Sequence, residues 1–537
     1  MTASRQARLS GAKAATSILL VTMITITGLD SARKARAWIG GRALIHALAL
    51  VLLLCGVCAP AGATEDPPAR VGRVSLVTGS TDAIVTAGAD WEAVTLNTPV
   101  SAGTALRTSL QSRAEVRVGS ASLQLNANTQ LRIQALDDEA LVLVLERGNV
   151  ALSLRALAAG ERVEVHAGEA TFLVTAPGSY HFGHAIGANR CEVRVFAGAG
   201  NFAAASPPLA LTTGQQVQID TRTLAVLAQG EAIPTRFDEW AAQRARRAER
   251  PELERYVSAE MTGAEELDGH GRWRVEPRVG AVWYPNAVDA EWAPYRAGRW
   301  LWVAPWGWSW VDQAPWGFAP FHFGRWLFVG GRWGWVPGSF VARPVYAPAL
   351  VGFYGGAPAS AAPWVGWFPL APGEPYRPGF AASGRYLQNL NAAAPAAPST
   401  APNSYRYAQT SFAATAMARD AFGSGQPAAL ARVPLSPATL SAAGVLPTHV
   451  APAPAPAAPA GKSPTVAVAP ESPLNAKAAS RLGVGAETKN GKQRADVAAL
   501  ERRAARRSPE QAAAAANPKP QPKRLKPQRT EGARHAH

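Results

Sequence analysis

The groups of this chain that could do acid–base chemistry in its most unusual stretch are the carboxylates Glu276, Asp289, Glu291, Asp312 and Glu374 and the histidines His270 and His322. General acid–base work needs a close pair whose proton affinities are pushed apart, and glycoside hydrolysis needs two carboxylates flanking one bond. Asp312 and His322 are the pair a hairpin could bring together. His322 lies in Pro320-Phe-His-Phe-Gly324, however, a setting for a packed ring with one satisfied nitrogen. Metal ligation has little to work with, since His270 and His322 stand 52 residues apart with no cysteine between them. His181 and His184 near Cys191 are denser but fall in a β-turn region, and no phosphate-cradling glycine loop is present. No catalytic residue, metal or cofactor is assigned, and an enzyme is not expected.

Binding chemistry is better represented. Residues 273 to 367 hold 14 of the 17 tryptophans. Gly298-Arg-Trp-Leu-Trp-Val-Ala-Pro-Trp-Gly-Trp-Ser-Trp-Val311 begins again, 26 residues on, as Gly324-Arg-Trp-Leu-Phe-Val-Gly-Gly-Arg-Trp-Gly-Trp-Val336. Aromatics two apart share one face of an extended strand. Pro305 and Gly330-Gly331 sit where hairpins would turn. The spacing therefore predicts repeated β-hairpins whose indoles either form the core or stay exposed as flat platforms for glycan. The candidate ligand-binding residues are Trp300, Trp302, Trp306, Trp308, Trp310, Trp326, Trp333 and Trp335, with Trp306, Trp308 and Trp310 the strongest. Gly307, Gly317 and Gly334 would leave room for rings, and Arg299, Arg325 and Arg332 are candidate cation–π lids on neighbouring strands.

The rest of the chain delivers and supports this unit. The net charge of +16 is confined to the ends: residues 1–62 carry +6, residues 461–537 carry +10, and the middle sums to zero. A basic flank, an apolar run from Ala43 to Val57 and Ala61-Gly62-Ala63 read as a signal peptide in the leader 1–63, cleaved after Ala63. Export to the periplasm or cell envelope follows, and with it no nucleic-acid partner. The other reading is an inner-membrane anchor formed by the same run. Cleavage would leave Cys191 as the one thiol, so the exported fold stands without an internal disulfide.

Between Val71 and Asp220 short runs alternate apolar and polar, as in Leu141, Leu143 and Leu145 or Val193 and Val195, with turn residues every 8–12 positions. That pattern predicts a mainly β domain over 70–222, a sandwich or solenoid. The stretches Gly72–Gly79, Asn97–Thr108, Leu145–Val150, Val174–Gly178, Val193–Gly198 and Thr213–Gln215 resemble the successive turns of the FecR-like periplasmic domain. Phe237–Trp240, Arg255–Ser258, Pro315–Trp326, Arg343–Leu350 and Val365–Glu374 resemble its companion, a tryptophan-rich domain of unknown function in proteobacterial envelope proteins. The resemblance implies a periplasmic β fold. In the FecR family it also implies a relay from an outer-membrane receptor to an extracytoplasmic-function sigma factor, through a cytoplasmic segment before one membrane span. Here a basic stretch of 42 residues with no evident fold, seven of them Lys or Arg, precedes the apolar run.

A linking helix is predicted within 234–262, with Phe237, Trp240 and Ala241 on one face and Arg244, Arg246, Arg247 and Arg250 mostly solvated elsewhere. The tryptophan-rich hairpin domain then spans 263–392. Beyond it, 393–537 reads as a disordered Ala/Pro-rich, basic tail that could rest on an anionic envelope surface. The expected function is that of an exported, non-enzymatic scaffold or sensor that binds glycan, peptidoglycan or an envelope protein. A FecR-type signalling relay is the alternative, and a wall-modifying enzyme a remote one.

Overall fold

The computed structural model describes residues 66–85, 90–203, 209–247, 249, 251–277, 279–355, 363–392 and 405–453. The leader, its cleavage site and the distal basic tail lie outside the described residues. The fold is mainly β, in several sheets with few short helices, as expected.

The first domain holds 17 strands among the described residues, and its organisation follows from one segment, Ala140–Leu154. Its apolar residues fall on odd positions at Leu141, Leu143 and Leu145 and on even ones at Val150, Leu152 and Leu154, all buried. An extended strand cannot turn both sets to one core without a break in phase. The break comes at Gly148, at φ +91°, where a Cβ would stand 2.5 Å from the Thr129 Cα. Before it, the strand pairs with Gln130–Leu136 and, in parallel, with Arg162–Ala167. After it, the strand pairs with Ala121–Leu125 and Gly178–Ala185. It thus passes from one sheet of a sandwich into the other, a device known for turning sandwich corners. Between the sheets lie the alternating leucines and valines with Phe172, Tyr180, Phe182 and Phe202. Cys191 belongs to this core, and burial pushes its thiol up to about 12, so it is inert. The last strand, Val226–Glu231, lies beyond residue 222.

The linking helix is Arg236–Arg247. It starts at Thr235, whose hydroxyl and backbone N–H both donate to Asp238 Oδ2 at 2.7 Å, closing a capping turn. Phe237 and Ala241 pack on the outer face of the sandwich at Ala151. Trp240 stacks on Phe237 and lies under Arg113, so the helix docks on the β domain. Leu253, Val257, Met261, Ala264 and Leu267, which follow it, enter the tryptophan core instead.

The tryptophan-rich unit contains the two expected hairpins, Gly298–Val303 with Gly307–Asp312 and Arg325–Val329 with Arg332–Val336. Gly330 and Gly331 turn the second at φ +57° and +74°, the conformation of a type I′ turn. A third hairpin, Gly271–Glu276 with Gly280–Pro285, repeats the opening phrase Gly-Arg-Trp. In each copy the Trp of that phrase faces a Trp across the strands: Trp273 with Trp283, Trp300 with Trp310, and Trp326 with Trp335. The second ring of each pair lies over the glycine, so that a Cβ at Gly271, Gly298 or Gly324 would meet it at 2.2 Å, 2.5 Å or 2.6 Å. Its Nε1 then donates to Leu267 O, Asp312 Oδ2 or Phe323 O. The hairpins Gly271–Pro285 and Arg325–Val336 share a four-stranded sheet.

The expected disordered tail from 393 is corrected over the described residues 405–453. Thr415–Ala418 pairs with Trp364–Pro369, and Met417, Phe422 and Leu440 are wholly buried. Phe422 packs against Trp300, Trp308 and Trp367 at 4.9–6.1 Å. An alanine-rich strand suits this place because Ala413, Ala414 and Ala416 fit between large rings where longer side chains would clash. The same alanines give the segment its linker-like composition.

Replacing Trp335 by Ala empties a site fully closed to solvent and is expected to cost about 3–5 kcal/mol, read as a fall in the urea midpoint. Trp302→Ala, at a half-buried ring, should lower it by well under half as much.

Candidate functional site

The tryptophans expected as ligand platforms are core residues instead. Trp300, Trp306, Trp308, Trp310, Trp326, Trp333 and Trp335 are all at most 8% exposed, and of the eight candidates only Trp302 is half-buried. Their rings meet edge to face, Trp300 with Trp310 at 5.4 Å and Trp302 with Trp308 at 5.6 Å. Edge-to-face contact is the preferred geometry of indoles in a core. A sugar could stack on the seven buried rings only by displacing that core. Trp306, Trp308 and Trp310 are covered partly by Tyr346, Phe422 and Tyr295, two of which lie beyond the repeat.

The three candidate lids have separate fates. Arg332 lies over a ring, that of Tyr284 at 5.8 Å. Arg325 is no lid: it is buried and donates to Glu374 O, Gly324 O and Asn391 Oδ1, with burial lowering it to about 10. Arg299 reaches across to Thr95 Oγ1 of the first domain at 3.5 Å.

Asp312 and His322 are both buried and are engaged separately. Asp312 accepts from Trp310 Nε1 at 3.0 Å and Ala314 N at 2.9 Å, yet burial raises it to about 7. His322 donates from Nδ1 to Ala347 O and stacks on Tyr346, and burial lowers it to about 4. His322 is thus the packed ring expected. His181 and His184 point to opposite faces of one strand: His181 reaches Asp238 at 2.5 Å and His184 donates to Leu145 O. Among the described residues no three His, Cys, Asp or Glu side chains form a metal-sized group.

Where the modules meet lies a buried ionic network that residue spacing did not foretell. Arg73 donates to Asn97, Glu265 and Glu266 at 2.7–3.1 Å, and Asn97 donates to the Asp312 and Ala314 carbonyls. Glu115 is fully buried and takes Arg117 at 2.7 Å and Arg244 at 2.9 Å. Burial would raise its carboxyl, but the two guanidiniums and Ser75 outweigh that and hold it at about 2. Arg244, expected in solvent, is therefore a structural ion. A second contact joins Arg70 and Arg343 to Glu161.

The helix 236–247 also roofs a cleft of about 400 Å³ over the outer face of the sandwich, within the range of small-ligand sites. Even-numbered core residues on Ala140–Leu154 turn Ala151 and Ser153 outward, and the register sets Ser122, Ser153 and Ser179 in one row across three strands. Gln124, Ser153, Ser179 and Gln243 supply amide and hydroxyl groups, Phe196 and Ala242 apolar walls, Glu239 and Arg246 the charged rim, and Asp238, paired with His181 and Thr235, a buried carboxylate. Gln124 is 1% exposed and donates from Nε2 towards Glu115 and Ser122, which leaves its Oε1 without a partner. Period-two alternation could have marked these outward positions, but nothing in the sequence says that a helix spans them.

Residues 264–374 match the model of a family of unknown function, DUF6600. Two crystal structures of a candidate anti-sigma factor from Parabacteroides distasonis are similar to this chain at 14% identity and a TM-score of 0.23. One match covers 26% of this chain and 64% of that one, the other 34% and 99%. The chain thus spans just under two thirds of the first of these structures. No curated protein matches. Among the described residues no helix is long and apolar enough to cross a membrane.

The depressed Glu115 carboxyl carries a signed pH dependence. Its contribution is complete above the unfolded value of 4.5 and is lost as pH falls from there towards about 2. Glu115→Gln should cost about 3 kcal/mol at pH 7. In acid titrations followed by circular dichroism, the gap between wild type and variant should close below pH 4.

Proposed function

We propose that the protein is an exported, non-enzymatic scaffold of the cell envelope that holds a neutral, hydroxyl- and amide-rich ligand, a short stretch of N-acylated glycan, under the helix 236–247. The observation that carries this reading is the cleft. Its walls offer Ser153, Ser179, Gln124 and Gln243, with Glu239 and Arg246 at the rim and the carboxylate of Asp238 already held by His181 and Thr235, and the unpartnered Gln124 Oε1 calls for an N–H donor. An acylamido group supplies that N–H, and its methyl group suits Ala242. Apolar sugar faces would rest on Phe196, the half-buried aromatic of this wall. The cross-domain ions support the scaffold part, because they hold two β modules in one arrangement and leave the cleft's roof little freedom.

The test is calorimetry of the mature protein with soluble peptidoglycan fragments and N-acetylglucosamine oligomers. Ser153→Val and Ser179→Val should each weaken binding roughly fivefold, about 1 kcal/mol per hydrogen bond. Ala242→Trp, which fills the cleft, should abolish it with folding intact. Equal binding by Ala242→Trp and wild type would remove the cleft from the proposal. N-terminal sequencing of the protein from cells should begin at Thr64, and an uncleaved cytoplasmic N-terminus would favour a transmembrane relay.

A further inference from the structure

The repeated Gly-Arg-Trp phrase puts one arginine on the side of each hairpin away from the tryptophans, and the three arginines are used differently. Arg325 is buried against backbone carbonyls, and Arg299 reaches the first domain. Arg272 is exposed, and its neighbour two along the same strand face, Arg274, is exposed too. Arg332 joins them from two strands over: Arg272 is directly opposite Tyr284, and Arg332 lies over that same ring. None of the three makes an ion pair with a carboxylate among the described residues, unlike Arg70, Arg73, Arg117 and Arg244 elsewhere in the fold. The acid of this face, Glu276, accepts the Tyr284 hydroxyl at 2.8 Å. Three guanidiniums against one carboxylate leave the face cationic.

The floor beneath them is apolar. Val282, Tyr284, Leu327 and Val336 form a small apolar cluster separate from the tryptophan core. Gly334 lies at its centre, where a Cβ would come within 2.5 Å of Val282 and 2.8 Å of Tyr284. Arginine stems that cover such a floor keep their heads in water. Exposed guanidiniums on strands two apart, with no carboxylate paired to them among the described residues, suit an extended anionic plane better than an enclosed small anion.

We infer that this face, carrying Arg272, Arg274 and Arg332, docks on an anionic phospholipid surface. The contact is independent of the glycan cleft, which lies on the other module. The sequence of 461–537 carries the same sign of charge. Each arginine near a negatively charged bilayer adds attraction that salt screens.

Co-sedimentation of the full mature chain with vesicles tests this, using phosphatidylglycerol mixed with phosphatidylcholine against phosphatidylcholine alone. Binding should need the anionic lipid and fall with added salt. The triple variant Arg272→Gln, Arg274→Gln, Arg332→Gln, with its tail intact, should partition about tenfold less or weaker still. If that variant fails to fold, Arg272→Gln with Arg274→Gln alone should still lose several-fold, because neither side chain packs in a core. The triple Arg→Lys variant should keep most of the binding, since a charged plane reads charge. Unchanged partition of the Gln variants would overturn the inference. So would loss in the Lys variant, or displacement by inorganic phosphate beyond chloride at equal ionic strength, which would assign the face to a discrete phosphate ligand. Tighter binding to RNA than to anionic vesicles would overturn it as well.

Discussion

An indole laid on a glycine is the contact on which the second module depends. At Gly271, Gly298 and Gly324 the facing tryptophan occupies the place a Cβ would take, and its Nε1 is turned to an acceptor in the same step. A tryptophan buries more surface than any other side chain. One pair per hairpin therefore gives a short two-stranded unit a core of its own, where hairpins alone are marginal in water. Phe422, Tyr346 and the alanines of 413–416 then close what the hairpins leave open. The unit needs no disulfide because its rings are packed on both sides.

The two modules meet by a different physical rule. Their contact is ionic and deeply buried, with Arg73, Arg117 and Arg244 set against Glu115, Glu265 and Glu266. Buried ion pairs add little net stability over an apolar contact, but an unpaired member is costly. Such a network thus selects one relative placement more than it strengthens the fold. Gly119, at φ +51°, lets the loop after Arg117 approach Glu260, so the backbone fits the same placement. Acid strong enough to protonate Glu115 removes the counter-charge that it gives Arg117 and Arg244.

Strand periodicity, the two tryptophan hairpins and their glycine turn were legible from residue type and spacing, because each is a local property. The third hairpin was harder to see: Trp273 is followed by Arg, Val and Glu, so its phrase lacks the second aromatic of the other copies. The orientation of the tryptophans could not be read from spacing. A shared strand face is the same for a core and for a platform, and the covering residues, Tyr346 and Phe422, stand far along the chain. Arg244 illustrates the same limit, since the buried Glu115 that claims it lies 129 residues away. The fold of 405–453 was hidden because alanine serves equally in a linker and between indoles.

The burial of the tryptophans also changes where recognition is sought. A chain that spends its aromatic residues on a core leaves its other faces to polar and charged groups, and their arrangement is set by strand register. On the sandwich, the phase break at Gly148 fixes Ser153 outward, beside Ser122 and Ser179. On the hairpin sheet, the alternation that turns Trp273 inward turns Arg272 and Arg274 outward. Both surfaces follow from the packing of the opposite strand face, so a one-residue register slip would bury the polar groups and expose the apolar ones together. Core and surface are therefore a single constraint here, and sequence changes that preserve the indole pairs preserve the polar faces as well.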